Sequence, residues 1–290
     1  MYELTETEQA ELTKNVHKYQ QDWWTQEEER LPEVKELIKY AGPKAFFKKR
    51  PYSTKFHSID SEEQWNKNLE EKKEALEKYG WLKPENAITY EFNSKGFRDE
   101  EFTDYDDCWV AIGECFTFGT GLHRELTWVH KLEQKMQTKI WNLAQCSTGT
   151  DTVFRGLLAN LEDLKPSKVL ILEPPPIARE VFVDHPEHPG MPEWLGSWRQ
   201  EDWMRSLAEN KVERYITRMK NYHAMESFVR SSGAEFHFIQ SEERHQIALD
   251  SWDEVNTGDF AAARDLMHPG WHFQQKMFER WFKELDKGQR

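Results

Sequence analysis

The chain has 290 residues, 38% hydrophobic and 31% charged, with a formal net charge of −13 at pH 7. That length and composition describe a globular chain with room for a large core, not a disordered or fibrous one. The excess of negative charge argues against a phosphate-backbone partner, so no nucleic acid is expected.

No apolar stretch approaches the roughly 20 residues of a membrane span. Residues 1–15 are acidic and polar, unlike an ordinary secretory signal. The three cysteines, Cys108, Cys115 and Cys146, are odd in number and form no C-x-x-C pair. Neither a disulfide framework nor a zinc knuckle is indicated, and a cytoplasmic protein, or one carried in a particle assembled there, is expected. Thirteen tryptophans suggest large core and interface contacts and leave room for an aromatic binding wall.

Along the chain, residues 4–22, 26–40 and 61–79 read as helices, the last rich in Glu-to-Lys pairs at helical spacing with Gly80 behind it as a stop. Residues 41–53 read as a loop whose Lys and Arg run faces solvent. From about residue 86 the texture changes. Residues 87–92 and 108–112 read as strands, 123–136 as a helix, 138–143 as a strand and 150–163 as a helix. The apolar run 168–172 is a buried strand, 199–231 a long helix, 235–239 a strand and 271–286 a closing helix. Alternating strands and helices predict a parallel sheet covered on both faces. Two regions are therefore expected: a helical N-terminal extension, 1–85, and an α/β domain, 86–290. In such sheets ligands bind beyond the carboxyl ends of the strands.

The run from Gly113 to Gly121, Gly-Glu-Cys-Phe-Thr-Phe-Gly-Thr-Gly, falls in one of those places, directly after a buried strand. A cysteine in that turn can project above the sheet edge, and the N–H groups of the turn can receive an oxyanion. A thiol beside a base is an effective nucleophile; the bland alternative is a packed cysteine in a glycine-rich turn. Near the end of the chain stands Asp265-Leu-Met-His268-Pro-Gly270. An aspartate three residues before a histidine can orient the imidazole, and the histidine can then serve as general base.

Taken together, the nucleophile turn, an Asn142-Leu strand end and a terminal D-x-x-H-P resemble the SGNH/GDSL hydrolases. The segment Tyr90–Arg98, with its Asn93-x-x-Gly-Phe-Arg98, is similar to a lead-in of many bacterial and phage members. The resemblance implies a flavodoxin-like three-layer α/β/α sandwich and acyl hydrolysis of a small-molecule, lipid or glycan ester. Cys115 stands where the family has its serine, Glu114 where it has aspartate, and His268 and Asp265 where it has the base and its acid. The resemblance puts the second oxyanion donor at Ser147, with Gly149 the alternative if the loop is shifted. The family's third block, Gly-x-Asn-Asp, is missing: after residues 168–172 the chain reads Glu173-Pro-Pro-Pro-Ile-Ala-Arg179-Glu180. Arg179 could offset negative charge there or pair with Glu173 or Glu180.

The implied function is an acyl hydrolase or acyltransferase working through Cys115, His268 and Asp265 without cofactor. The competing implication is a non-catalytic binding or structural protein on the same scaffold, in the manner of a phage component, with the N-terminal helices serving assembly. Residues 184–190 hold carboxylate and imidazole groups interrupted by prolines, and no metal site is expected there. Trp194, Trp198 and Trp203 lie in a long insertion that could cover the site. Cys146 lies close enough to the oxyanion loop to pair reversibly with Cys115 if both reach the cleft.

Overall fold

The computed structural model describes residues 51–103, 107–174, 178–182, 192–195, 206, 209–255 and 263–287, without the side chains of 179, 181–182, 192–195, 251–255 and 287. The expected helices 4–22 and 26–40, Trp198, Trp203 and the segment 184–190 lie outside these residues, as does the side chain of Trp194.

Four strands form the central sheet: β3 (Trp109–Ile112), β4 (Ile140–Asn142), β5 (Lys168–Leu172) and β8 (Glu235–Ile239). All pairings are parallel, and the spatial order is β4-β3-β5-β8. The chain thus starts in the middle, steps to one side, then crosses over and winds outward the other way. That doubly wound order leaves a crevice at the carboxyl ends, between β4–β3 and β5.

Alternation along the strands explains the three layers. Val110 and Ile112 face one core with Trp141, Val169 and Ile171. Helices α5 (Thr150–Leu164) and α6 (Lys211–Ser231) cover it through Val153, Leu157, Leu161, Met225 and Val229. Trp109, Ala111, Leu170 and Leu172 point the opposite way. There α4 (Trp128–Met136), α7 (Ser241–Val255) and α8 (Trp271–Lys287) close the second core with Trp128, Leu132, Ala248, Met277 and Trp281. Each fully buried large apolar side chain contributes roughly 1.5–3 kcal/mol. The three-layer parallel sandwich expected from the sequence is therefore the fold.

Several local expectations change. The expected helix 61–79 is two, α1 (Glu62–Glu71) and α2 (Lys73–Lys78), broken where Lys72 leaves helical geometry at φ −137°. The expected strand 87–92 shortens to β2 (Tyr90–Phe92), which pairs antiparallel with β1 (Tyr52–Thr54) in a separate ribbon. Residues 52–54 had the look of a loop because three residues are too few for a period-2 pattern. Helix α7 escaped notice because charge dilutes its apolar stripe. The hairpin of β6 (Arg179–Phe182) and β7 (Pro192–Leu195) was hidden in the insertion.

Residues 60–82 share a third core with the sheet's upper edge. Leu76, Trp81, Ile88, Tyr90 and Phe92 pack with Phe118, Leu122, Ala263 and Leu266. Beneath that core a buried polar knot joins distant segments. Arg264 forms an ion pair with Asp60, whose Oδ2 also accepts from the Tyr90 hydroxyl at 2.5 Å. The same hydroxyl accepts from the Gly121 N–H at 2.8 Å.

Candidate active site

The turn that carries Cys115 begins at the end of β3. Glu114 caps the short helix α3 (Cys115–Phe118), accepting from the Phe116 N–H at 3.4 Å, which leaves Cys115 as the first helical residue. Gly113 is required by its neighbours: a Cβ there would lie 2.7 Å from the Leu172 carbonyl oxygen. At the far end Arg98 donates to the carbonyls of Phe118, Gly119 and Leu122 at 3.1, 2.8 and 2.7 Å. The lead-in arginine therefore fastens the C-terminal end of the turn that carries Cys115.

Asn142, at the end of β4, is a strut. Its Nδ2 donates to the Thr117 carbonyl at 3.0 Å, and its Oδ1 accepts from the Ala144 N–H at 3.0 Å. The following loop swings back so that the Ser147 N–H donates to the Cys115 sulfur at 3.2 Å. Ser147 achieves this at φ +59°, a left-handed conformation that costs an L-residue roughly 1–2 kcal/mol. Gly149, the alternative donor, is instead the N-cap residue of α5.

The C-terminal loop meets the turn at Gly121, where φ is +71° and a Cβ would lie 2.9 Å from that of Ala263. The Gly121 carbonyl accepts from the Arg264 N–H at 2.9 Å. This close approach sets Asp265 and His268 over Cys115. The Asp265 carboxylate pairs with His268 Nδ1 and accepts from the His268 N–H at 3.1 Å. Cys115 and His268 line the same cleft, and Cys115 also acts to raise the His268 pKa. About 150 residues apart in sequence, the two groups share one cleft.

Electrostatics set their protonation. Burial disfavours a charged imidazole, but the Asp265 carboxylate outweighs it and holds the His268 pKa well above the ordinary histidine value. The Cys115 thiol is pushed well above its usual range, first by a hydrogen bond with Cys146, then by burial and by the Glu114 charge. Cys146 also contacts the Thr120 hydroxyl at 3.2 Å. Cys146, expected beside the oxyanion loop, is thus close enough to Cys115 to act on its thiol.

A cleft of about 740 Å³ opens over these groups, lined by Cys115, Phe116, Ser147, Thr148 and His268 on the sandwich side. Its opposite wall comes from residues 58–67, including Ile59, Gln64 and Lys67. That wall was invisible in the sequence, since nothing in a charged helix signals which cleft it borders. Arg244 and Glu114 also line the cleft, and Arg244 Nη1 donates to Glu114 Oε1 at 2.7 Å. No motif announced Arg244; only the tertiary packing of α7 brings it here.

At the third-block position the chain offers no asparagine. Glu173 is buried and accepts from Arg218 Nε at 2.6 Å and from the Ser241 N–H at 2.8 Å. Glu180 pairs with Arg155. Both carboxylates considered as partners of Arg179 thus engage other arginines, while the Arg179 side chain lies outside the described residues. Among the described residues there is no cluster of His, Cys, Asp and Glu that could hold a metal ion, and no helix long and apolar enough to cross a membrane.

The fold and these residues define a doubly wound α/β protein with a Cys–His–Asp constellation at the carboxyl end of its sheet. No protein-family model matches the sequence, and the comparison with curated proteins gives no match. Among solved structures, the chain is similar to TesA, at 17% identity and a TM-score of 0.41, over 62% of this chain and 98% of that one. It is similar to the psychrotrophic esterase EstA from Pseudoalteromonas sp., at 19% identity and a TM-score of 0.40, over 63% and 98%. A third is described as a lipolytic protein of the G-D-S-L family from Desulfitobacterium hafniense, at 15% identity and a TM-score of 0.38, over 61% and 99%. The roles of individual residues rest on their geometry in this chain.

Proposed function

We propose that this protein is an acyl hydrolase or acyltransferase acting on an ester or thioester, with Cys115 as nucleophile, His268 as base and Asp265 as its orienting acid. The observation that supports this most is that His268, held by Asp265 on Nδ1, lines one cleft with Cys115. In the reaction, neutral His268 takes the thiol proton as the sulfur attacks the carbonyl carbon. The N–H groups of Cys115 and Ser147 receive the oxyanion. Collapse breaks the bond to the leaving alcohol or thiol, which takes the proton back from His268, and leaves a thioester on Cys115. Water or an acceptor, deprotonated by His268, then attacks that thioester and frees the enzyme.

Two donors rather than three make a slower site, since one oxyanion donor is worth about 10²–10³ in rate. A thioester intermediate also suits transfer to an acceptor as well as hydrolysis. The second reading, a binding protein on the same scaffold, draws on the raised Cys115 thiol pKa and on Glu173 standing where an asparagine would act.

Aryl esters and thioesters of graded chain length separate the two. Wild type is expected to turn over at least one of them about 10²-fold faster than Cys115→Ala or His268→Ala. Equal rates across wild type and both variants would sink the catalytic reading.

A further inference from the structure

We propose that Arg244 is an anion-binding residue of the cleft, and that the substrate is an acyl ester or thioester bearing a free carboxylate near its reacting carbonyl. The proposal rests on the Cys115 reading and names the substrate class for that site. Arg244 is 8% exposed and lines the cleft together with Cys115, Ser147 and His268. Its guanidinium is fixed on two sides. Nη1 donates to Glu114 at 2.7 Å, and Cζ lies 4.5 Å from the centroid of the Phe116 ring, whose edge meets the His268 imidazole at 6.0 Å.

What remains is unsatisfied. Arg244 Nε is buried and has no hydrogen-bond partner, and the Glu114 contact is the guanidinium's one hydrogen bond among the described residues. A buried N–H on a full charge is costly to leave unpaired. Nη2 makes no hydrogen bond among the described residues and can donate to a carboxylate in the cleft. A neutral substrate would leave that donor unused, whereas a carboxylate pairs with the guanidinium within the cleft that holds the reacting sulfur. The residue to which Arg244 is tied, Glu114, adjoins Cys115 in the chain, so an anion held on Arg244 lies within a short acyl chain of the nucleophile.

The test uses Cys115 itself as reporter, in the full-length chain. Alkylation at Cys115 is followed by peptide mass spectrometry with iodoacetate, which carries a carboxylate, and with neutral iodoacetamide. The protonated His268 raises the iodoacetate rate in every variant, so the readout is the change in the ratio of the two rates. Arg244→Met is expected to lower the iodoacetate-to-iodoacetamide ratio about tenfold or more, the worth of one charge-assisted contact, while the change in thiol ionisation caused by leaving Glu114 unpaired acts on both rates alike and cancels in the ratio. Arg244→Lys keeps part of the preference. Should Arg244→Met fail to fold because Glu114 is left unpaired, Glu114→Gln/Arg244→Met removes both charges and should show the same fall. An unchanged ratio, equal slowing with both reagents, or a Cys115 closed to both overturns the assignment. Ester turnover with an unchanged ratio refutes Arg244 alone; a lowered ratio without any ester turnover refutes the acyl-transfer reading alone.

Discussion

Asn68 Nδ2 donates to the backbone carbonyl of Asp265 at 2.9 Å, joining helix α1 to the loop that carries Asp265 and His268. Asn68 is itself buried and accepts from Gln64 Nε2 at 3.0 Å, and Gln64 lines the cleft. Asn68→Ala leaves a buried carbonyl unpaired, and about 1–3 kcal/mol of stability should be lost. Denaturant unfolding measures this. A loss within error would mean that α1 does not hold the loop. If Asn68 also positions Asp265, the His268 titration followed by NMR shifts downward in the variant, which a purely packing role would not cause.

The pH dependence follows from His268. Only the neutral imidazole can accept the thiol proton, and Asp265 raises its pKa well above 6.5. Protonation therefore suppresses the rate below that raised value, and activity should climb as pH rises through it. The acid limb of kcat/KM is expected well above pH 6.5 and should move down in Asp265→Asn. A wild-type limb at or below the ordinary histidine value contradicts the pairing.

Cys146 is the first cause of the raised Cys115 thiol pKa. Replacing it by alanine removes the hydrogen bond and leaves burial and Glu114 to act. The pH midpoint of iodoacetamide labelling at Cys115 should fall in Cys146→Ala and lie above about 8.5 in wild type. A midpoint unmoved by the substitution would show that the two thiols do not interact in solution.

His57 offers a separate test of the docking of the N-terminal ribbon. Its ring packs against Phe92 and Phe118, at centroid distances of 4.8 and 5.1 Å. Burial, with help from the Arg98 charge, lowers its pKa to about 4. The folded state therefore holds His57 neutral, while the unfolded chain takes up a proton below about pH 6.5. The stabilisation is fully present above pH 6.5 and is lost as pH falls towards 4, by up to about 3 kcal/mol. His57→Phe keeps the stacking and should flatten this part of the stability profile. An equally steep profile in that variant would rule His57 out as the titrating group.

Period and punctuation made much of this protein legible from its sequence. The runs at 108–112 and 168–172 are short, apolar and bounded by turn residues, so their place as strands followed directly. Cys115 was legible as a candidate because it stands in a glycine-rich turn directly after a strand, and Asp265 and His268 because of their D-x-x-H spacing. The break at Lys72 and the antiparallel pairing of Tyr90–Phe92 with Tyr52–Thr54 depend on contacts that leave no periodic mark.

What the sequence determined by itself was thus the layer architecture and the candidate residues at the carboxyl end of the sheet, because both follow from local patterns. The tertiary structure alone decided that Cys115 and His268 share a cleft, that Cys146 is close enough to act on the thiol, and that Arg244 and residues 58–67 line the cleft. These are long-range relations, set by how helices pack across the sheet edge, and no spacing along the chain encodes them.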